Sequence, residues 1–72
     1  MKTIEITTEF IKLQDLLKFA SLVSTGGEAK IVILEEEVTV NGEICTQRGK
    51  KIRPGDVVRF NGQELTVSYA DR

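Results

Sequence analysis

The chain has no histidine and no tryptophan, and holds one cysteine, one methionine, one proline and one tyrosine among its 72 residues. Without histidine and with a single thiol, neither a Ser-His nor a Cys-His pair can form, which closes the commonest routes to nucleophilic catalysis. A zinc site of Cys and His ligands is closed for the same reason, and the carboxylates do not fall at the spacing of a calcium-binding loop. The sequence reads as a non-enzyme with no cofactor, no metal and no small-molecule substrate. Cys45 has no partner for an internal disulfide and reads as a small apolar residue, buried or half-buried. No window approaches the roughly 18 apolar residues of a membrane span. Glu5 and Glu9 interrupt the opening MKTIEITTEF where a secretory signal needs an unbroken apolar core. The expected location is the cytoplasm, away from membranes.

What is present is an ordinary soluble composition: 40% apolar and 29% charged residues, enough to fold as one small domain over residues 1–72. The net charge of -1 hides an asymmetry. Residues 1–37 carry four bases and seven acids, whereas residues 38–72 carry six bases and four acids. The stretch RGKKIRPGDVVRF, from Arg48 to Phe60, holds five of the ten Lys and Arg residues and a single acid, Asp56. A solvated loop accounts for two or three such charges. Five around a Pro-Gly turn suggest a surface for an anion, because a phosphate responds to charge within a Debye length of about 8–10 Å rather than to the sum over the chain.

Ile4 and Ile6 alternate with polar neighbours between Thr3 and Thr7, the pattern of a half-buried edge strand. Leu13, Leu16, Leu17, Ala20 and Val23 repeat at helical spacing, so a helix is expected to run until Ser24-Thr25-Gly26-Gly27 breaks it. Glu28 then stands where an acid favours the start of a second helix, although Ile31-Val32-Ile33-Leu34 is equally strand-like in composition. Val38-Thr39-Val40 leads into the tight-turn dipeptide Asn41-Gly42, with a return strand through Ile44. Pro54-Gly55 fits the centre of a type II turn. Val57 to Phe60, Asn61-Gly62 and Gln63 to Tyr69 read as a second hairpin, with Val58 opposite Leu65 and Arg59 opposite Glu64. Its apolar face is expected to hold Val58, Phe60, Leu65, Val67 and Tyr69. Phe10, Phe19, Phe60 and Tyr69 read as core, and Glu35-Glu36-Glu37 as a solvated helix end.

The order of these elements, with Leu13, Leu16, Leu17 and Ala20, then Glu28-Ala29-Lys30, Val38-Thr39-Val40-Asn41-Gly42 and Pro54-Gly55-Asp56-Val57, resembles the RNA-binding domain of the ribosomal protein S-four type, the alpha-L motif. The resemblance covers about residues 11–60 and is closest to the stand-alone bacterial YaaA-type members, in which the domain is the entire chain. It implies an α+β fold of two packed helices against a small, mostly antiparallel sheet, and it makes residues 28–35 helical. It also implies that structured RNA is bound, with ribosomal RNA or a ribosomal particle as the partner and a role in ribosome assembly or translation. Arg48, Lys50, Lys51 and Arg53 would form a cationic rim, and Lys18, Thr25, Gly26, Gly27 and Lys30 the helical side of the same surface. Many members carry Ser-Arg where this chain has Thr25-Gly26, so that arginine contact is missing. Gly26 and Gly27 either make the turn between the helices or let RNA backbone approach the amides of the second helix, with Lys30 in its first turn. A rival reading is a protein-interaction module that docks an acidic partner on the basic segment or adds a strand to a sheet edge.

Overall fold

The computed structural model describes residues 2–70. Its elements are β1 (Lys2–Ile6), β2 (Ile11–Lys12), α1 (Leu13–Phe19), α2 (Gly26–Leu34), β3 (Val38–Val40), β4 (Glu43–Ile44), β5 (Lys51–Ile52), β6 (Val57–Phe60) and β7 (Gln63–Tyr69). Five strands form one sheet in the order β1-β7-β6-β3-β4, and β2 and β5 form a separate ribbon. All pairings are antiparallel except that of β1 with β7. The result is the expected α+β arrangement, with the expected edge strand at β1.

The second half follows its turn chemistry closely. Asn41 and Gly42 both take positive φ, 52° and 88°, as do Asn61 and Gly62 at 53° and 77°, which is the backbone of a type I′ hairpin turn. Val58 pairs with Leu65 and Arg59 with Glu64, in the register read from the sequence. Val58, Phe60, Leu65 and Val67 are buried with Ile4, Ile6, Val38 and Val40 of the neighbouring strands. Cys45 is half-buried against this core.

The helices depart from expectation at their ends. Leu13, Leu16, Leu17, Ala20 and Val23 are all buried, yet α1 stops at Phe19. Ser21 adopts φ 61°, its N–H donates to the Lys18 carbonyl at 3.0 Å, and Leu22 N–H donates to the Leu17 carbonyl at 3.0 Å. These are the two bonds of a Schellman motif, made here without the usual glycine. The end of α2 repeats it: Glu36 has φ 63°, its N–H donates to Ile33, and Glu37 N–H donates to Val32. Glu35, Glu36 and Glu37 are exposed there, as a solvated helix end requires.

Gly26 and Gly27 do not form the turn between the helices; they are the first two residues of α2. Lys30 is consequently the fifth helical residue and lies in the second turn, not the first. The face of α2 that meets the core is Ala29, Val32 and Ile33, spaced i, i+3, i+4, while Ile31 and Leu34 stay exposed.

Three aromatic side chains leave the expected core. Phe19 is 64% exposed because it sits off the stripe of Leu13, Leu16, Leu17 and Ala20 on α1. Tyr69, the last residue of β7, is 54% exposed, and Phe10 is only half-buried. Phe60 alone among the four belongs to the core.

Candidate nucleic-acid interface

The basic segment is anchored by its backbone and exposes its charged side chains. The carbonyl oxygens of Lys50 and Arg48 accept hydrogen bonds from the N–H groups of Leu13 and Gln14, at 2.8 and 3.1 Å. These are two of the donors that the first turn of any helix leaves without an internal partner. Lys12, the N-cap of α1, supplies no side-chain bond, so the basic segment caps the helix instead. The β2–β5 ribbon continues this contact, pairing Ile11 with Ile52 and Lys12 with Lys51. Ile52 is fully buried and Ile11 packs against the core. The ribbon therefore has an apolar inner face and a cationic outer one. Arg48, Lys50, Lys51 and Arg53 are all exposed, and so is Lys12, which the charge pattern of the sequence did not single out. Two-residue strands are too short to read by periodicity, and only the alternation Ile11-Lys12 against Lys51-Ile52 hinted at this pairing. Lys51 Nζ stands 5.0 Å from the centroid of the Phe10 ring, a cation–π contact that gives Phe10 a surface role.

The acid inside the segment is committed to the backbone. Arg53, Pro54, Gly55 and Asp56 form the expected type II turn, with Gly55 at φ 96° and Asp56 N–H donating to the Arg53 carbonyl at 3.0 Å. The Asp56 carboxylate accepts from Arg53 N–H at 2.9 Å and from the Asn41 side-chain amide at 3.1 Å. Asn41 Oδ1 accepts in turn from Val57 N–H at 2.8 Å, and Asn41 N–H donates to the Val57 carbonyl at 2.7 Å. The Asn-Gly hairpin and the Pro-Gly-Asp turn, far apart in sequence, are thus one clasp. The bond from Arg53 N–H holds the Asp56 carboxyl below its ordinary pKa of 3.8; the Asn41 amide and the charges of Lys50 and Arg53 act in the same direction, against partial burial. The clasp fixes the Arg53 end of the rim.

The helical half of the expected surface is less cationic. Thr25 caps α2, its Oγ1 accepting from Glu28 N–H at 3.1 Å, while a Glu28 carboxylate oxygen accepts from Ser24 N–H at 2.8 Å. This variant of a capping box sets an acid at the positive end of the helix. Gly26 and Gly27 are exposed. A Cβ on Gly26 would meet nothing within 4 Å, one on Gly27 only Thr25 Oγ1 at 3.8 Å, and neither residue has a positive φ. The fold itself does not require glycine at either position. Lys30 is exposed on α2, and Lys18, in the last turn of α1, borders a groove of about 780 Å³ with Ile6, Ile11, Asp15 and Phe19.

The structure thus gathers Lys12, Arg48, Lys50, Lys51 and Arg53 at the start of α1. Thr25, Gly26, Gly27 and Lys30 follow the other end of that helix, which is about 10 Å long. Among the described residues no hydrogen bond joins the two groups. No helix among those residues is long and apolar enough to cross a membrane.

Comparison with known proteins extends the resemblance to nearly the whole chain. A family model described as "S4 domain" matches residues 4–68. The chain is 46% identical over 59 residues to the "Probable ribosome maturation protein RlbA" of Bacillus subtilis, covering 82% of this chain and 83% of that one. It is 39% identical over 57 residues to YbcJ of Escherichia coli, covering 79% of this chain and 81% of YbcJ. The solution structure of Escherichia coli YbcJ, described as revealing an alpha-L motif involved in RNA binding, superimposes with a TM-score of 0.73 at 35% identity, over 94% of this chain and 87% of that one. The 30S ribosomal protein S4e of Thermoplasma acidophilum shares the fold, with a TM-score of 0.68 at 22% identity, over 90% of this chain and 34% of the longer protein.

Proposed function

The chain belongs to the S4 domain family, and from that membership we propose that it is a small non-catalytic protein of the cytoplasm that binds structured RNA through phosphate contacts. Ribosomal RNA or a ribosomal particle is the proposed partner, and ribosome maturation or translation the proposed setting, on the strength of the relative named for ribosome maturation. Residues 1–72 act as one RNA-binding unit in this reading. The observation that carries it is the cationic outer face built on β2, β5 and the turn at Pro54-Gly55, where Lys12, Arg48, Lys50, Lys51 and Arg53 are exposed on backbone anchored to the start of α1 while Asp56, the acid among them, is turned to the clasp.

Arg48, Lys50, Lys51 and Arg53 form the main contact, and such contacts position a protein on RNA shape more than on sequence. Lys18, Thr25, Gly26, Gly27 and Lys30 flank it. The bare backbone of the two glycines allows a phosphate to approach the first amides of α2, and Lys30 offsets the nearby Glu28. With one Tyr, three Phe and no Trp in the chain, base stacking is a minor part of this reading. Filter binding of the purified chain to ribosomal RNA at physiological salt tests the proposal. RNA should be retained, and retention should fall as salt rises; a protein-docking module would retain none.

A further inference from the structure

Lys12 and Lys51 face each other across the β2–β5 ribbon. The bond from Leu13 N–H to the Lys50 carbonyl makes theirs the non-hydrogen-bonded type of antiparallel pair, with Cα atoms about 4.5 Å apart and side chains closer than in the other type. Both lysines are exposed, while the adjoining pair, Ile11 and Ile52, takes the inner face. Like charges directly opposite one another destabilise a sheet. This ribbon is only two residues long on each side, so it has few other contacts to offset the repulsion. Asp56, the acid of the segment, is held by Arg53 N–H and Asn41. The Phe10 ring beneath Lys51 Nζ holds that ammonium on the outer face.

We propose that Lys12 and Lys51 form a clamp for a single RNA phosphate. The proposal rests on the RNA-binding reading above and adds to it a contact residue outside the basic stretch and a stoichiometry of two lysines to one phosphate. A phosphate between the two ammonium groups replaces their repulsion with two charge-assisted hydrogen bonds. Arg48, Lys50 and Arg53, along the same segment, take neighbouring phosphates.

The test measures retention of end-labelled fragments of purified bacterial ribosomal RNA against salt, for the parent chain, Lys12→Ala, Lys51→Ala, their double variant and Lys50→Ala. The Lys12 side chain is exposed and caps nothing, so Lys12→Ala should melt at the parent's temperature or above it in low salt. A lower melting temperature would assign the lysine to the fold and overturn the clamp. The clamp predicts that Lys12→Ala weakens binding at least about tenfold, the low end of the range for a lost hydrogen bond to a charged group. The double variant should bind little worse than the weaker single one, and its log–log salt slope should be shallower by about 0.7 in total, the value of one phosphate on single-stranded RNA. Additive losses with a slope change of about 1.4 would mean two separate phosphates and overturn the clamp. So would Lys12→Ala binding like the parent while Lys50→Ala binds more weakly, an outcome that leaves the RNA-binding reading standing. If the parent chain itself retains no RNA, that reading fails and the clamp with it.

Discussion

Replacing Asn41 tests whether the clasp holds the cationic rim in place. The side chain of Asn41 makes two hydrogen bonds, to Asp56 and from Val57 N–H, at 3.1 and 2.8 Å. Each such bond contributes about 0.5–1.5 kcal/mol net, so Asn41→Gly, which tolerates the native φ of 52°, should cost about 1–3 kcal/mol. Asn41→Ala loses the same bonds and, unlike glycine, keeps a Cβ in the left-handed region, so it should cost about 1–2 kcal/mol more than Asn41→Gly. Asn41→Asp keeps the acceptor for Val57 N–H but turns a second carboxylate toward Asp56, and should fall between the parent and the alanine variant. Urea unfolding followed by circular dichroism gives the order parent, then glycine, then alanine. The coupling can be isolated with Asp56→Ala: the double variant Asn41→Gly with Asp56→Ala should lose less than the sum of the two single changes. A glycine variant as stable as the parent, or additive losses in the double variant, would show that the two turns stand independently and that the clasp argument is wrong.

Three further outcomes follow from the same geometry. Ser21→Gly and Glu36→Gly relieve left-handed residues at the ends of α1 and α2 and should each raise stability by up to about 1 kcal/mol; a loss on thermal unfolding would contradict the helix-end assignment. Because the folded-state pKa of Asp56 lies below the ordinary 3.8, its contribution to stability is fully present above that value and is lost as the pH falls through the folded pKa. The stability gap between the parent and Asp56→Asn, measured by denaturant unfolding across pH, should therefore narrow in acid below about pH 4, and a gap constant down to pH 2 would remove the carboxylate from the clasp. Gly27→Ala, which meets no steric obstacle, should stabilise α2 by up to about 1 kcal/mol while weakening RNA binding, and tighter or unchanged binding would take α2 out of the interface.

The parts of this fold that were legible in the sequence are those fixed by a local chemical demand. Asn-Gly and Pro-Gly need particular φ values, and once the Asn61-Gly62 turn is placed, the pairing of Val58 with Leu65 follows from the two-residue loop. The parallel contact of β1 with β7 joins the first strand to the last, and nothing local announces such a distant pairing. The end of α1 and the start of α2 were misplaced because the left-handed residue that terminates α1 is Ser21, while Gly26 and Gly27, which look like a break, lie inside α2. Ile31 and Leu34 stand exposed beside buried Val32 and Ile33, so α2 is apolar almost all round and its composition could not separate helix from strand.

The cationic rim was legible as a run of charge, since Arg48 to Arg53 is continuous in the chain. Lys12 was not, because it joins the rim only through a two-residue ribbon. Nor was the fate of Asp56, whose bonds to Arg53 N–H and Asn41 tie the lone acid of the run to the two turns.

The most direct test of RNA binding by this face is the salt dependence of RNA affinity for the variant Lys50→Ala with Lys51→Ala, compared with the parent on several structured RNAs. Both side chains are exposed, and the backbone carbonyl of Lys50 that caps α1 is kept, so the variant should remain folded. Affinity should drop by a similar factor on every RNA, and the log–log salt slope should become shallower by at least about 0.7, the value of one phosphate no longer neutralised. A folded variant with the parent's affinity and slope would contradict the account.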